Sequence, residues 1–255
     1  PLAAAGGSAA AVATAGPDAG VVIRCFGGFA VAVDGVATPV TGYSRDLIHV
    51  LVAGGGHVSV DVAIEHLWPG APLERGRRGL RNALHRLPAR DRLVARHGDR
   101  IELVRSVTVD ALVFEEAAHA ARVALRNGDG WALDAAIAAL ADYGPLLPNA
   151  RVDAVGPAAR RLASLAASLC DEAGRAASRA GRTREAIALV RQAVAIDPDS
   201  EDRRVWLAQL LQASGRPLDA SMVLDEIDRL AAELGVRPGP QVGALREQLR
   251  AGLVN

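Results

Sequence analysis

The sequence predicts a mainly α-helical protein with a small antiparallel β portion, divided into two domains. Three observations carry this reading. Short apolar runs punctuated by Gly and Asp-Gly are confined to residues 21–38 and 93–104. From Asp110 onward the hydrophobic spacing is helical almost throughout. An eleven-residue pattern then recurs near the end of the chain at an offset of 34 residues. A length of 255 residues suits two ordinary domains, and with half the residues hydrophobic a core needs no covalent staples. The expected divisions are a flexible Ala/Gly-rich linker at 1–20, a first domain at 21–106 and a helical domain at 107–255.

In chain order, residues 1–20 are small, lack a basic stretch and read as linker rather than signal peptide. The first residue is Pro1, so the chain is expected to be part of a longer protein, which leaves room for a membrane segment or other domain ahead of it. The runs VVIRCF, FAVAV and VAT, with Asp34–Gly35 as a hairpin signal, predict a small antiparallel sheet. Ser44 is expected to cap a helix running to about Ala53, with Leu47, Ile48, Leu51 and Val52 inward. The glycines 54–56 stop it; no GK[ST] follows them, so a phosphate cradle is not indicated. Ser59 should cap a second helix, Val60 to Leu67, closed by Trp68–Pro69.

The stretch LERGRRGLRNALHRL (73–87) is the centre of interest. Wound as a helix it places Leu73, Gly76, Leu80, Leu84 and Leu87 on one stripe, with Ala83 at its edge. Arg75, Arg78, Arg81, Asn82 and His85 lie opposite, Arg77 and Arg86 lie towards the sides, and Glu74 is the only acid. A helix that merely solvates itself does so better with mixed charge. A face of Arg and Asn suits a DNA major groove, because Arg reads phosphate or guanine and Asn reads adenine. A solvated basic helix is the plainer alternative. Beyond Pro88, LVAR (93–96) and IELV (101–104) flank the turn His97–Gly98–Asp99–Arg100, a hairpin with Arg96 and Arg100 near its tip. Sheet, three helices with the third cationic, and a basic hairpin form the order of a winged helix-turn-helix.

Candidate helices follow at 110–126, 131–142, about 155–180, 182–195, 200–214, 217–234 and 241–251. AGRTREAIALV (180–190) aligns with SGRPLDASMVL (214–224), pairing Gly181 with Gly215, Glu185 with Asp219 and Ala186 with Ala220. A period of 34 with a turn Gly between amphipathic helices is a tetratricopeptide signature. The fold expected is therefore a winged helix-turn-helix followed by an α-helical tetratricopeptide-like domain.

Charge supports that division. Residues 21–109 hold 12 Arg against 8 acids, whereas residues 110–255 hold 17 Arg against 20 acids. The front half is the one suited to a polyanion. Cys25 and Cys170 form no CxxC and read as buried, inert thiols. The six histidines show no metal-ligand spacing, and neither Ser44 nor Ser59 lies in a nucleophile elbow. Glu115–Glu116 and Asp171–Glu172 read as solvated surface, and Phe114, Trp131 and Trp206 as core. No cofactor, metal or catalytic residue is expected, no stretch has the length of a membrane span, and the chain does not read as an enzyme.

The motifs FGGFAVAVDG (26–35), VSVDVAIEHLWPG (58–70), LRNALHRL (80–87), VDALVFEEAAHAA (109–121) and ELGVRPGP (233–240) resemble, in order and spacing, those of SARP/AfsR-type actinobacterial transcriptional regulators. These fuse an OmpR-type winged helix to a bacterial transcriptional activator domain. The resemblance implies a cytoplasmic, nucleoid-associated regulator that contacts double-stranded DNA through its third helix and wing and activates through RNA polymerase. An effector, small molecule or protein, on the helical domain and a homodimer are further expected partners. The DNA-binding set is then Arg75, Arg77, Arg78, Arg81, Asn82, His85, Arg96 and Arg100. Within it Arg81 and Asn82 are the expected base readers, and Arg75, Arg96 and Arg100 the phosphate contacts. The chain departs from the family pattern at Gly76 and Gly79, each worth about 1 kcal/mol of helix propensity against Ala, and at Pro88, which ends the helix early. Those departures keep open an alternative, an interaction or effector-sensing module whose winged helix has lost DNA binding.

Overall fold

The computed structural model describes residues 20–254, so positions 1–19 of the expected linker lie outside the described residues. The chain forms two compact units. The first comprises residues 20–25 and 29–109. It opens with strands β1 (Val21–Arg24), β2 (Ala30–Val33) and β3 (Val36–Ala37). β1 and β2 pair antiparallel with Val22 opposite Ala32. Asp34 and Gly35 both take positive φ, 51° and 77°, the geometry of a two-residue primed hairpin turn. Helices α1 (Gly42–Ala53), α2 (Val60–Leu67) and α3 (Leu73–His85) follow, with β4 (His57–Ser59) between the first two. A single-turn α4 (Arg90–Leu93) leads into the hairpin β5 (Val94–His97) and β6 (Arg100–Leu103), and β7 (Val107–Val109) ends the unit.

Several details depart from the sequence reading. Thr41, not Ser44, stands at the N-cap of α1. Ser44 is buried and its hydroxyl donates to the Ala83 carbonyl at 2.8 Å, tying α1 to α3. Ser59 does cap α2, accepting from the Val62 amide at 3.3 Å. Residues 93–104 begin as a helical turn, so the wing strand starts at Val94 and not Leu93. Helix α3 stops at His85, and Arg86 and Leu87 continue as a turn, because the residue before Pro88 is driven out of the helical region. Leu73 is 46% exposed, lying in the first turn of α3 rather than on its packed stripe.

Two strands of three residues each escaped periodicity. β7 joins β1 in parallel, Val21 opposite Val107, giving the sheet order β3-β2-β1-β7. The first sheet is thus mixed rather than purely antiparallel, and residues 107–109 belong to the first unit. β4 joins the wing hairpin in a second sheet ordered β4-β6-β5. Fully buried Leu47, Ile48, Leu51, Leu80, Leu93 and Ile101 form the interior of this unit. His49 is buried among them, edge-on to Phe29 at 4.7 Å.

The second unit comprises residues 26–28 and everything from Asp110 onward. Its helices are α5 (Asp110–Asn127), α6 (Ala132–Ala141), α7 (Val155–Arg179), α8 (Thr183–Ile196), α9 (Glu201–Ala213), α10 (Pro217–Leu234) and α11 (Pro240–Val254). They form helical hairpins that share one closure. Gly181 and Gly215 have φ of +70° and +75°. The next amide bonds back across the helix end, Arg182 to the Ala177 carbonyl and Arg216 to that of Leu211, both at 2.9 Å. A left-handed residue in this six-to-one bond carries no penalty only as glycine. The equivalence extends to side chains: Arg182 pairs with Glu185 at 3.2 Å and Arg216 with Asp219 at 2.6 Å. Ala186 and Ala220 are both fully buried. Gly128 repeats the turn between α5 and α6, with the Asp129 amide on the Ala124 carbonyl at 3.1 Å. The spacing of 34 does not reach that earlier hairpin, which the sequence repeat therefore did not reveal.

Ion pairs cross this array. Glu172 on α7 accepts from Arg122 on α5 at 2.9 Å, Asp171 accepts from Arg203 on α9 at 2.8 Å, and Glu115 pairs with Arg161. These carboxylates, expected to be solvated surface, join helices instead; only Glu116 of the four is exposed. Trp131, expected in the core, is 58% exposed, whereas Phe114 is buried against Phe26 and Tyr143. Cys170 is buried, and that burial pushes its thiol up to about 12, consistent with an inert group.

Candidate nucleic-acid interface

The sequence of α3 explains how its cationic face is presented. Gly76, Leu80, Ala83 and Leu84 are buried, and the opposite side is solvent. Gly76 and Gly79 are the means of that burial. A Cβ on Gly76 would overlap the Ile64 side chain of α2, and one on Gly79 would lie 2.7 Å from the Trp68 ring. The glycines thus let α2 and α3 approach more closely than alanines would allow. What they cost in helix propensity is offset by packing, the term that decides helix stability in folded proteins.

Arg75, Arg77, Arg78, Arg81, Asn82, His85, Arg96 and Arg100 are all exposed. They are not equally available. Arg77 lies 3.8 Å from Glu74 one turn earlier, and Arg100 lies 3.2 Å from Glu102 on its own strand. Arg96 donates to the Gly98 carbonyl at 3.1 Å, which braces the wing turn and leaves its charge uncompensated. Arg75, Arg78 and Arg81 have no acidic partner among the described residues. Asn82 and Arg86, one helical turn apart, flank a shallow recess of about 400 Å³ beside Thr41, Tyr43 and Trp68. The Tyr43 and Trp68 rings pack there at a tilt of 39°, their centroids 4.8 Å apart. Arg86, Tyr43 and Trp68 stood outside the expected set. The first was legible as a further Arg on the helix, whereas the two rings meet only once α1 and α2 are folded together.

Among the described residues, no group of three or more His, Cys, Asp or Glu side chains could hold a metal ion. No helix among them is long and apolar enough to cross a membrane.

A winged helix with a basic third helix, followed by a tetratricopeptide-like helical array, defines a class of two-unit regulatory architecture. Residues 109–250 match the family described as the bacterial transcriptional activator domain, and the chain belongs to that family, whose members are transcriptional regulators of SARP type. Among solved structures, Mycobacterium tuberculosis EmbR in complex with a low-affinity phosphopeptide is similar over 91% of this chain, with a TM-score of 0.67 and 23% sequence identity. That likeness is one of fold, and this chain spans 65% of the EmbR chain. No protein of curated function matches the chain.

Proposed function

We propose that the chain binds double-stranded DNA through its winged helix, with α3 in the major groove and the β5–β6 hairpin as the wing, and that it activates transcription in the cytoplasm. The observation that carries this is the uncompensated face of Arg75, Arg78 and Arg81. On a helix packed closely against Ile64 and Trp68 at its two glycines, three guanidinium groups without acidic partners among the described residues have no ion pair to break on meeting phosphate or guanine. Arg81 and Asn82 are the base readers in this scheme, with Arg78 and His85 beside them. Arg75, Arg96 and Arg100 contact phosphate, Arg77 is damped by Glu74, and Glu102 likewise damps Arg100. The helical unit would contact RNA polymerase or an effector, and a homodimer would pair two half-sites. No catalytic role is assigned to any residue.

The test is a titration of the parent protein and an Arg81→Ala/Asn82→Ala variant against a selected operator and random DNA at several salt concentrations. The expected result is a loss of about 1–3 kcal/mol of operator affinity per base contact with little change on random DNA. A companion Arg75→Ala variant should weaken both DNAs and flatten the salt dependence by about one unit. No DNA binding by the parent would favour an interaction module instead.

A further inference from the structure

A recess in the helical unit is lined by none of the residues proposed to read DNA. It lies between the loop that follows α6, the first half of α7 and the last turns of α8, and has a volume of about 510 Å³. That size is within the range of small-molecule sites. Its walls are apolar: Pro145, Leu146, Ala159, Ala163 and Ile196.

Three polar groups border it, and each has capacity to spare. The Tyr143 ring is fixed against Phe26 at 5.2 Å and Phe114 at 4.9 Å, and its hydroxyl, within electrostatic reach of the Cys170 thiol, makes no hydrogen bond among the described residues. Gln192 donates its amide nitrogen to the Leu140 carbonyl at 3.1 Å. Because a carbonyl can only accept, this bond settles which end of the amide faces it and leaves the amide oxygen free. Arg160 is exposed at the edge and has no acidic partner among the described residues. It is the only charged side chain in the lining among the described residues.

The loop that forms one wall is held from several sides. The Gly27 amide donates to the Pro145 carbonyl at 2.9 Å, and Phe26 and Leu146 form an isolated antiparallel bridge. Leu147, buried beneath, takes a φ of +43°, a strained conformation for a residue with a branched side chain. Such strain persists only where the surroundings over-determine it, and is concentrated at ligand sites.

We propose that this recess binds a small carboxylate with an apolar body, its hydrocarbon part among Leu146, Ala163 and Ile196 and its carboxylate on Arg160, with the Tyr143 hydroxyl as a second donor. The inference names a site and a ligand class for the effector reading of the helical unit, and is independent of how α3 meets DNA. The probe is decanoate, added to the full chain and followed by calorimetry, with decanol as the neutral analogue.

Decanoate should bind more tightly than decanol. Arg160→Gln should weaken decanoate by about tenfold or more, the value of one charge-assisted hydrogen bond, and leave decanol unchanged. Ala163→Phe, which fills the recess, should remove both; should that variant unfold, Ala195→Phe at the rim serves the same purpose. Absence of decanoate binding at millimolar concentration, or equal binding by the parent and both variants, would overturn the proposal. Operator affinity with and without decanoate tests the effector role separately: unchanged affinity removes that role and leaves the binding site standing.

Discussion

Arginine does different work in two regions of this molecule. On α3 the guanidinium groups of Arg75, Arg78 and Arg81 stand in solvent without acidic partners among the described residues. In the helical unit several arginines are fastened to carboxylates on neighbouring helices, as Arg122 is to Glu172 and Arg203 to Asp171. Arg246 likewise reaches both Asp225 and Asp228 on α10. Since no lysine occurs in the chain, a single residue type serves both purposes. A guanidinium presents several donors in a fixed fork, which suits two carboxylate oxygens as well as a phosphate or a guanine edge. What separates the two uses is the supply of acids within reach. The difference teaches that an arginine on this chain is informative about partners only after its own neighbours have been counted.

The largest effect should come from reversing charge on α3. In Arg78→Glu/Arg81→Glu, operator affinity should fall by at least about 30-fold, two contacts at about 1–3 kcal/mol each. Folding stability should stay within about 0.5 kcal/mol of the parent, as for ordinary surface changes. A gel shift beside a thermal melt reads both, and a lowered melting temperature would show that these side chains are structural after all.

Next is the titratable side chain that the winged helix buries instead of pairing. Burial holds His49 down at about 4, from an ordinary 6.5, with weaker and opposed influences from Asp46 and Arg45. Its folded form therefore binds fewer protons than the unfolded chain between those values. The stability is fully present above pH 6.5 and is lost as pH falls to about 4, by about 3 kcal/mol. Urea unfolding across that window should show the slope, and His49→Leu should flatten it. An equal slope in that variant would place the acid sensitivity elsewhere.

In the helical unit, Arg203→Ala should leave the part-buried Asp171 without its strongest donor, at a cost of about 2 kcal/mol. For a unit of this size that corresponds to roughly 5 °C in melting temperature. DNA affinity should not change, and a variant that melts like the parent would break the contrast between the two regions. The smallest effect belongs to the solvated pairs of Arg182 with Asp134 and Glu185: Arg182→Ala should melt indistinguishably from the parent.

Legibility followed the range of the interaction. The helices of the second unit were readable to within a few residues because amphipathic spacing is a local property repeated over many turns. The turn at Gly181 and Gly215 was readable for the same reason, having been written twice. The cationic face of α3 was readable because 100° per residue separates Arg75, Arg78 and Arg81 from Leu80 and Leu84 without reference to anything else. By contrast, Trp131 was read as core on residue type alone, and residue type does not say whether a neighbour exists to cover it.

By itself, then, the sequence determined the helical array, the wing hairpin and the side of α3 that carries charge, since each depends on residues close together in the chain. Only the tertiary structure decided the features that depend on a distant partner. β7 is three residues long and becomes a strand because β1 lies beside it. Ser44 looks like a cap until the Ala83 carbonyl, 39 residues away, accepts its hydroxyl. Gly76 and Gly79 look like defects until Ile64 and Trp68 fill the space a methyl group would need. Asp171 and Glu172 look solvated until Arg203 and Arg122 reach them from other helices. Burial and pairing are set by what meets a side chain across space, and that meeting is decided only when the chain folds.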